Sequence, residues 1–421
     1  MTIHTQICII GAGPAGATTA LFLAKAGIPH IIVDAAQFPR DKVCGDGLDL
    51  KVMRILQHLD PNILTHDIQQ NNGFSPSWGT RIITPNGKYV DLDYQPSTKE
   101  AQLPLYQVSR RAHFDHFLVQ RFDPKYTDFR QNTTVQSLVR EGDIWRINAQ
   151  NEGKNLEITC NLVIGADGDH SVVLRAIGDR KIERRHYAAS QRQYWSGVTG
   201  MHPDGLIEFY FPKSLPWSYF WIFPLPNGEA NVGFIMLSEP VAKLQINIRK
   251  ELQRIITEDP VIAPRFKNAT PLDKPAGWGL PLSSRRRKPF GDGFMLVGDA
   301  ASLICPITGE GIGTSMLSGY LAAQFATKSA EKKQYDASMF VGYEKELYRR
   351  LNDEILMGHL VYYLQKLPWK WSAWALNMVL PSRWLGYAFR RMAKGWLNTA
   401  VHKQIQIKHG VVSATQPAKY S

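Results

Sequence analysis

The feature that most constrains the fold of this 421-residue chain is a glycine-rich turn close to its amino terminus. Residues 6–10 predict a short apolar strand, and the small apolar residues 15–26 predict a helix directly after it. The turn between them consists of Gly11, Ala12, Gly13, Pro14, Ala15 and Gly16. We expect the first glycine to permit a tight turn, the second to let the backbone approach a pyrophosphate, and the third to allow close helix–strand packing. The helix start adds free N–H groups and a positive dipole, which favour an anion.

A second strand and an acidic residue complete this pattern. Residues 31–33 are apolar and predict a strand that ends at Asp34. The carboxylate thus follows the glycines by about twenty residues, the spacing at which it binds a ribose hydroxyl in a βαβ unit. A glycine turn before a buried helix is the structural alternative, and the presence of Asp34 argues against it. The pattern therefore predicts a dinucleotide site.

Two later segments place glycine and aspartate at the ends of predicted strands. Residues 164–168 are Ile-Gly-Ala-Asp-Gly, and residues 294–301 are Phe-Met-Leu-Val-Gly-Asp-Ala-Ala. Beyond the second segment, residues 306–313 are rich in glycine and open a helix that we expect to continue to residue 328. A helix start without side-chain bulk can lie against a flat ring, donate N–H groups to it and stabilise negative charge there.

With these segments the chain resembles the FAD-dependent hydroxylase-like superfamily, which implies that the dinucleotide is FAD. The resemblance implies that Asp299 binds the ribityl chain, that Arg111 makes a polar contact on the flavin side, and that the backbone of Val135 meets the adenine. A purely structural arginine is the alternative for Arg111. The predicted FAD-binding residues are Gly11, Ala12, Gly13, Pro14, Ala15, Gly16, Asp34, Cys44, Gly45, Arg111, Val135, Asp167, Asp299, Gly309, Gly311, Ile312 and Gly313.

An aromatic strand is the second most specific element. Within residues 216–224, the alternation of a strand places Tyr219, Trp221 and Phe223 on one face and the intervening residues on the other. One interpretation is an aromatic wall along an apolar slot beside a flavin, which predicts these three as substrate-binding residues. The other is an ordinary core strand of an antiparallel sheet.

This strand also resembles the PxxYxWxFP motif of the geranylgeranyl reductase family, the flavoenzymes that saturate isoprenoid double bonds. The matching residues are Pro216, Tyr219, Trp221, Phe223 and Pro224. Residues 38–48, which include Cys44 and Gly45, are similar to that family's cysteine-glycine loop after the second strand. The chain departs from the family at Asp46, where glycine is frequent. The resemblance covers most of the chain up to about residue 350.

Together these patterns predict an α/β fold with three parts. A Rossmann-like FAD-binding domain is expected at residues 1–75, 106–182 and 276–342, and a helical C-terminal segment at 343–421. An inserted α+β substrate domain with an antiparallel sheet is expected at residues 76–105 and 183–275. Within it we expect strands at 195–200, 205–211, 217–224 and 231–237, and a helix at 240–256.

The four cysteines are typical of a protein of a reducing compartment. Cys8, Cys44, Cys160 and Cys305 form no CxxC pair and no cluster with metal-ligand spacing, so no metal site is expected. The first predicted strand begins almost at the first residue, and we therefore expect no signal peptide and a cytoplasmic protein.

The formal net charge of +12 is concentrated at the carboxyl terminus. After Glu354 there is no Asp or Glu, but there are nine Lys and Arg and five tryptophans. No apolar run there approaches the ~20 residues of a membrane span. One interpretation is a peripheral surface that rests on anionic lipid at the inner face of the membrane. The other is a helical cap over a substrate channel. We expect no nucleic-acid partner, because no groove-reading motif accompanies the charge.

These observations predict an FAD-dependent reductase of C=C bonds in the prenyl chain of a lipid or quinone, with electrons from NAD(P)H or ferredoxin. An isolated alkene is a poor hydride acceptor, so the enzyme must hold it flat and protonate it. Cys44 is the candidate to supply or relay that proton, or it is merely a small residue in a tight loop. An FAD-dependent monooxygenase or halogenase is the alternative function, although a halogenase would be expected to have WxWxIP. A redox-inactive lipid carrier is the third class.

Overall fold

The computed structural model describes residues 2–93, 103–179, 181–215 and 217–364. Pro216 of the aromatic motif and the C-terminal segment after residue 364, with its five tryptophans, lie outside the described residues. The described residues form eight α-helices: α1 (Pro14–Lys25), α2 (Leu50–Leu59), α3 (Arg111–Val119), α4 (Val172–Ala176), α5 (Ser238–Lys243), α6 (Ile248–Glu258), α7 (Ile312–Lys332) and α8 (Val341–Leu364). Among these described helices, none combines the length and the apolar character that crossing a bilayer requires.

The first sheet has eight strands and a parallel centre. Its members are β1 (Thr2–Ile10), β2 (His30–Val33), β8 (Thr127–Arg130), β9 (Thr133–Glu141), β10 (Ile144–Asn151), β11 (Lys154–Gly165), β18 (Phe290–Gly291) and β19 (Phe294–Leu296). Strands β8, β2, β1, β11 and β19 lie side by side and run parallel. Because parallel strands end at the same edge, the loops after β1, β2, β11 and β19 meet there. This Rossmann-like arrangement confirms the predicted α/β fold and gathers the three glycine-rich segments.

The second sheet is built mostly from the middle of the chain. Its members are β5 (Gly79–Ile83), β6 (Tyr89–Asp93), β12 (Tyr187–Ser196), β13 (Ile207–Tyr210), β14 (Ser218–Pro224), β15 (Glu229–Leu237), β16 (Thr270–Pro271) and β17 (Ala276–Pro281). All pairs are antiparallel except β13 with β5, which is parallel. No hairpin joins those two strands, so the chain does not force them to run in opposite directions. The sheet extends through β17, beyond residue 275.

A third, smaller sheet consists of three short strands. It consists of β3 (Gly47–Asp49), β7 (Tyr106–Val108) and β4 (Ser75–Ser77), paired antiparallel in the order β3-β7-β4. Strand β3 follows the Cys44–Gly45 loop directly, and α2 follows β3. The carboxyl end of the loop is therefore continuous with β3 and α2.

Two predictions of local structure need correction. The strand predicted at 195–200 is β12, which ends at Ser196, because the chain turns through Gly197 with φ 72°. The earlier part of β12 was not predicted because its sequence is polar, although polar side chains such as Arg192 are buried there. The helix predicted at 240–256 is two helices, α5 and α6, because Gln245 with φ 52° interrupts it.

Helices α1 and α7 pack against each other at very short distance. An added Cβ at Gly319 would come 2.3 Å from the Ala15 carbonyl oxygen, and the Thr19 hydroxyl donates to the carbonyls of Ala15 and Gly319. The small residues that predicted α1 therefore serve this contact. It fixes the amino termini of both helices at the same edge of the first sheet.

Candidate FAD and substrate site

Among the three glycines of the glycine-rich turn, Gly13 has the most open space where a side chain would stand. Gly11 has φ 100°, and an added Cβ would come 2.4 Å from the Ala166 carbonyl oxygen, while a Cβ at Gly16 would come 1.8 Å from the Gly11 carbonyl. At Gly13 the nearest atom to an added Cβ is Arg40 Nη2 at 3.6 Å. A side chain at Gly11 or Gly16 would thus clash with protein, and Gly11, Gly13, Pro14 and Ala15 line a cavity. No side chain caps the helix that begins at Pro14.

Asp34 fixes this turn from the end of β2. Its Oδ2 accepts a 2.8 Å hydrogen bond from Ala12 N, and its Oδ1 accepts one of 2.8 Å from Ala36 N. Each oxygen keeps a further lone pair, and the carboxylate lines the cavity. Ala12 is buried beneath the turn. Val135 is buried in β9 opposite Ala149 and does not line the cavity, so its backbone contact with adenine stays a prediction.

The late segment brings Asp299 and the start of α7 to the same cavity. Burial raises the pKa of the half-buried Asp299 carboxyl, and the ammonium of Lys42 opposes that shift. Gly309, Gly311 and Ile312 also line the cavity. Gly313 does not, because an added Cβ there would come 2.2 Å from Asp49 Oδ1, on the side away from the cavity.

Asp167 in the middle segment lines the cavity and has one carboxylate oxygen without a hydrogen-bond donor among the described residues. Its Oδ2 accepts a 2.6 Å hydrogen bond from Val172 N, while its buried Oδ1 has no partner among the described residues. Burial raises the pKa of this carboxyl, and the hydrogen bonds from the start of α4 lower it. A buried oxygen without a donor is costly, so it favours a ligand hydroxyl or N–H here.

Arg111 and Cys44 contact each other at the other end of the cavity. Arg111 is buried, and its Nε and Nη2 donate to Asp115 at 2.7 Å, which also accepts from Arg40 at 2.8 Å. The positive charge of the same guanidinium lies near enough to Cys44 to lower the pKa of its thiol. Burial raises the pKa of the Cys44 thiol, with Arg111 and the Asp46 N–H acting in the opposite direction. The thiol therefore keeps its proton at neutral pH. If it gives up that proton, Arg111 and the Asp46 N–H can stabilise the thiolate.

The aromatic strand forms the wall that faces this loop. Tyr219, Trp221 and Phe223 all line the cavity, and the intervening Phe220 and Ile222 pack in a separate core on the far side of the sheet. The alternation predicted from the sequence is confirmed. The Tyr219 hydroxyl donates to the Thr308 carbonyl, which ties the wall to the segment before α7.

Glycines bring the Cys44–Gly45 loop against this wall. An added Cβ at Gly45 would lie 3.3 Å from Phe223 Cε2 and 3.6 Å from Trp221 Nε1, and one at Gly47 would lie 3.2 Å from Phe223 Cε2. Cys44 and the three aromatic side chains therefore line the same part of the cavity.

Several functional candidates were missed at the level of sequence. Lys42 Nζ lies 3.8 Å from the centre of the Trp278 ring, and burial lowers the pKa of Lys42 to about 8. Glu310 lines the cavity and accepts a 2.8 Å hydrogen bond from Tyr106 Oη. Burial raises the pKa of Glu310 to about 7. Two features of the sequence could have indicated these residues. Trp278 stands between two glycines, and Glu310 is the one carboxylate in the glycine-rich segment before α7.

The cavity suits an elongated dinucleotide flavin. It encloses about 350 Å³ and is continuous from Gly13 and Asp34, past Asp167 and Asp299, to the aromatic wall. The open space at Gly13 admits a phosphate, and the orphaned Asp167 oxygen accepts a donor. The lining combines charged and polar residues with the three aromatic side chains of β14, as a phosphate-bearing cofactor beside an apolar substrate requires.

Comparison with known families agrees with this geometry. Residues 4–332 match the family model described as FAD binding domain. A digeranylgeranylglycerophospholipid reductase of Methanosarcina acetivorans is 30% identical over 324 residues, covering 76% of this chain and 74% of the relative. A menaquinone reductase of Mycolicibacterium smegmatis is 29% identical over 351 residues, covering 78% and 77%.

Solved structures show the same fold. A geranylgeranyl bacteriochlorophyll reductase-like protein of Thermoplasma acidophilum has a TM-score of 0.79 at 24% identity, covering 97% of both chains. A flavin-dependent brominase has a TM-score of 0.72 at 18% identity, covering 95% of this chain and 98% of the other. At these identities the likeness concerns the fold alone. The family match, the relatives and the cavity together identify the chain as an FAD-dependent oxidoreductase of the FAD-binding-domain family, belonging to its geranylgeranyl reductase group.

Proposed function

We propose that the protein reduces C=C bonds in the prenyl chain of a lipid or quinone. The observation that carries this proposal is the contact of the Cys44–Gly45 loop with the aromatic face of β14, inside the cavity that begins at Gly13. A thiol, an apolar wall and a dinucleotide-type turn in one cavity meet the needs of alkene reduction. The names of the relatives, reductases of a digeranylgeranyl phospholipid and of menaquinone, support the same substrate class.

The cofactor in this proposal is FAD, held along the whole cavity. The start of α1 at Gly13 would bind the pyrophosphate, Asp34 a ribose hydroxyl and Asp299 the ribityl chain. The start of α7, at Gly311 and Ile312, would lie against the ring and stabilise negative charge on it. Bound and reduced, FAD supplies the hydride that an isolated alkene requires.

The residues beside the aromatic wall then position and protonate the substrate. Trp221 and Phe223 exclude water and hold the prenyl chain flat. The Cys44 thiol donates the proton, since its raised pKa keeps it protonated at neutral pH. The positive charge of Arg111 and the Asp46 N–H stabilise the resulting thiolate until solvent returns a proton.

Three further parts of the proposal concern partners and organisation. The electron donor is NAD(P)H or ferredoxin. The basic, tryptophan-rich segment after Glu354 holds the protein at the anionic inner face of a membrane, where a prenyl substrate is dissolved. The sheet-rich insertion at residues 76–105 and 183–275 supplies the substrate wall to the FAD domain formed by the flanking segments.

An anaerobic assay tests the proposed function. Purified protein is reduced without oxygen and incubated with a geranylgeranyl lipid or menaquinone, and products are examined by mass spectrometry for two added hydrogen atoms per double bond. Saturated product supports the reductase. Product formed only with oxygen would instead support the monooxygenase or halogenase alternative, although the chain has Tyr219 and Phe223 where a halogenase is expected to have tryptophan and isoleucine.

A further inference from the structure

The residue at which the chain departs from its family, Asp46, has the backbone conformation of a glycine. Its φ is 66°, in the left-handed region that L side chains rarely adopt. Aspartate tolerates this region better than most residues, but glycine costs less there. The contacts of the aspartate side chain must therefore offset the energetic cost of this backbone conformation.

The Asp46 carboxylate is fully buried and joins three separate elements. Its Oδ2 accepts from Tyr194 Oη of β12 at 2.7 Å and from Asn231 Nδ2 of β15 at 2.8 Å. Its Oδ1 accepts from the backbone N–H of Arg111, at the start of α3, at 3.3 Å. A buried carboxylate with three donors is a strong tether.

Asn231 connects the Asp46 carboxylate to the cysteine loop and to the aromatic wall. Its Nδ2 also donates to the Cys44 carbonyl at 2.8 Å, and its Oδ1 accepts from Trp221 Nε1 at 2.9 Å. One chain of hydrogen bonds thus links Asp46, the backbone of the cysteine loop and the indole of the aromatic wall. The position of the loop relative to the wall depends on the carboxylate.

We propose that Asp46 is a positioning residue of the reductase, whose carboxylate holds the Cys44–Gly45 loop against Trp221 and places a negative charge beside the Cys44 thiol. The inference deepens the proposed function and rests on it where turnover is concerned. It explains why this chain has aspartate at a position whose backbone suits glycine.

The charge state of this carboxyl gives the proposal a measurable consequence. Burial raises the pKa of Asp46 to about 6, while hydrogen bonds from Tyr194 and Asn231 and the charges of Arg192 and Arg111 oppose that shift. Above that pH the carboxylate is negative and raises the pKa of Cys44, with Lys42 and Arg111 acting in the opposite direction. Neutralising Asp46 should therefore make Cys44 more acidic at neutral pH.

The experiment compares Asp46→Asn and Asp46→Gly with the unaltered holoenzyme. Cys44 is alkylated by iodoacetamide between pH 5.5 and 8.5, and its modification is followed by peptide mass spectrometry, with the buried Cys8 and Cys160 as internal references. At pH 7.5 we expect both variants to react about 3- to 10-fold faster, because loss of the charge increases the thiolate fraction. The difference should shrink below pH 6, where Asp46 of the unaltered protein is itself protonated.

Turnover and flavin content complete the test. We expect kcat for the prenyl substrate to fall about tenfold in both variants, with unchanged flavin absorbance, since the loop loses its tether but not the FAD contacts. Lys333→Gly, which changes another left-handed residue at the exposed end of α7, is the matched control and should resemble the unaltered protein.

The alkylation result tests the role of Asp46 independently of the proposed reductase activity. An unchanged alkylation rate at pH 7.5 in both variants overturns the inference, whatever the turnover. Faster alkylation in variants of a protein that reduces no prenyl substrate would sustain the role of Asp46 beside the thiol and refute the reductase proposal. If Asp46→Asn fails to fold, Asp46→Gly, which suits the backbone, still decides the question.

Discussion

Trp221 and Gly233 lie opposite each other in the β14–β15 pair, and an added Cβ at Gly233 would come 2.1 Å from the indole Cζ2. The indole therefore occupies the space that a side chain would take on the neighbouring strand. Its Nε1 remains directed at Asn231, at 2.9 Å, and so at the loop that carries Cys44. The orientation of one wall residue thus depends on the absence of a side chain on the next strand.

Gly233→Ala should displace the Trp221 indole and lower prenyl turnover about tenfold, because a near-ångström shift in a positioning group has effects of this size or larger. Flavin absorbance should stay at the level of the unaltered protein, since Gly233 does not line the cavity. Steady-state kinetics and the absorbance spectrum measure both quantities. Equal turnover would show that the indole orientation is unimportant.

Trp221→Ala should impair turnover of the prenyl substrate and leave FAD bound. It removes a cavity-lining side chain that is 6% exposed and leaves the Asn231 oxygen without its donor. Trp195→Ala is the matched control, since Trp195 is equally buried but packs against Phe266 on the other side of the sheet. Comparable loss of turnover in both variants, or loss of flavin in the first, would indicate that the strand is only structural.

Asp299→Ala should lose flavin. The carboxylate in the proposed site accepts ribityl hydroxyl hydrogen bonds, and leaving these unmade costs on the order of 1–3 kcal/mol, or about 5- to 150-fold in affinity. The ratio of flavin to protein absorbance after gel filtration measures it. Asp292→Ala, an exposed aspartate outside the cavity, is the control and should keep its flavin. Full FAD occupancy in Asp299→Ala would refute the assignment of the late segment.

Glu310→Gln should reduce the pH dependence of stability. Burial raises the folded-state pKa of Glu310 to about 7, above its ordinary value. Protonated Glu310 therefore makes its full contribution to the stability of the folded protein below pH 4.5. This contribution is lost as the pH rises through 7. The glutamine side chain of the variant cannot ionise, and its amide oxygen can still accept the hydrogen bond from Tyr106.

Urea unfolding at pH 5 and pH 8, with excess FAD, measures this effect. The free energy of unfolding of the unaltered protein should fall more across that interval than the free energy of the variant, by about 1 to 3 kcal/mol. The same dependence in both proteins would place the titrating group elsewhere, with Asp46 the next candidate.

Arg390, Arg391 and Lys394, in the segment outside the described residues, should contribute to membrane binding. Lysine and arginine at an anionic surface contribute about 1 kcal/mol each, and salt screens this contribution. Changing all three to Glu should weaken sedimentation with phosphatidylglycerol vesicles, most at low salt, without loss of FAD. Unchanged binding, or none by the unaltered protein, would leave the tunnel cap as the interpretation of this segment.

The sequence by itself determined the dinucleotide turn, the strand–helix–strand order around it and the two faces of the aromatic strand. These follow from short sequence patterns: Gly16 packs on the Gly11 carbonyl within the same turn, and Tyr219, Trp221 and Phe223 share a face because strand side chains alternate. The resemblance of short motifs to known families added the cofactor and the class of reaction.

Only the tertiary structure decided which distant residues complete the cavity. Asp46 appeared in the sequence as a departure from a glycine position, and its partners Tyr194 and Asn231 stand 148 and 185 residues away. Likewise, Glu310 meets Tyr106 across 204 residues. Periodicity reports which face of an element is buried, but the pairing of buried polar groups depends on how the sheets pack, and no local pattern encodes that.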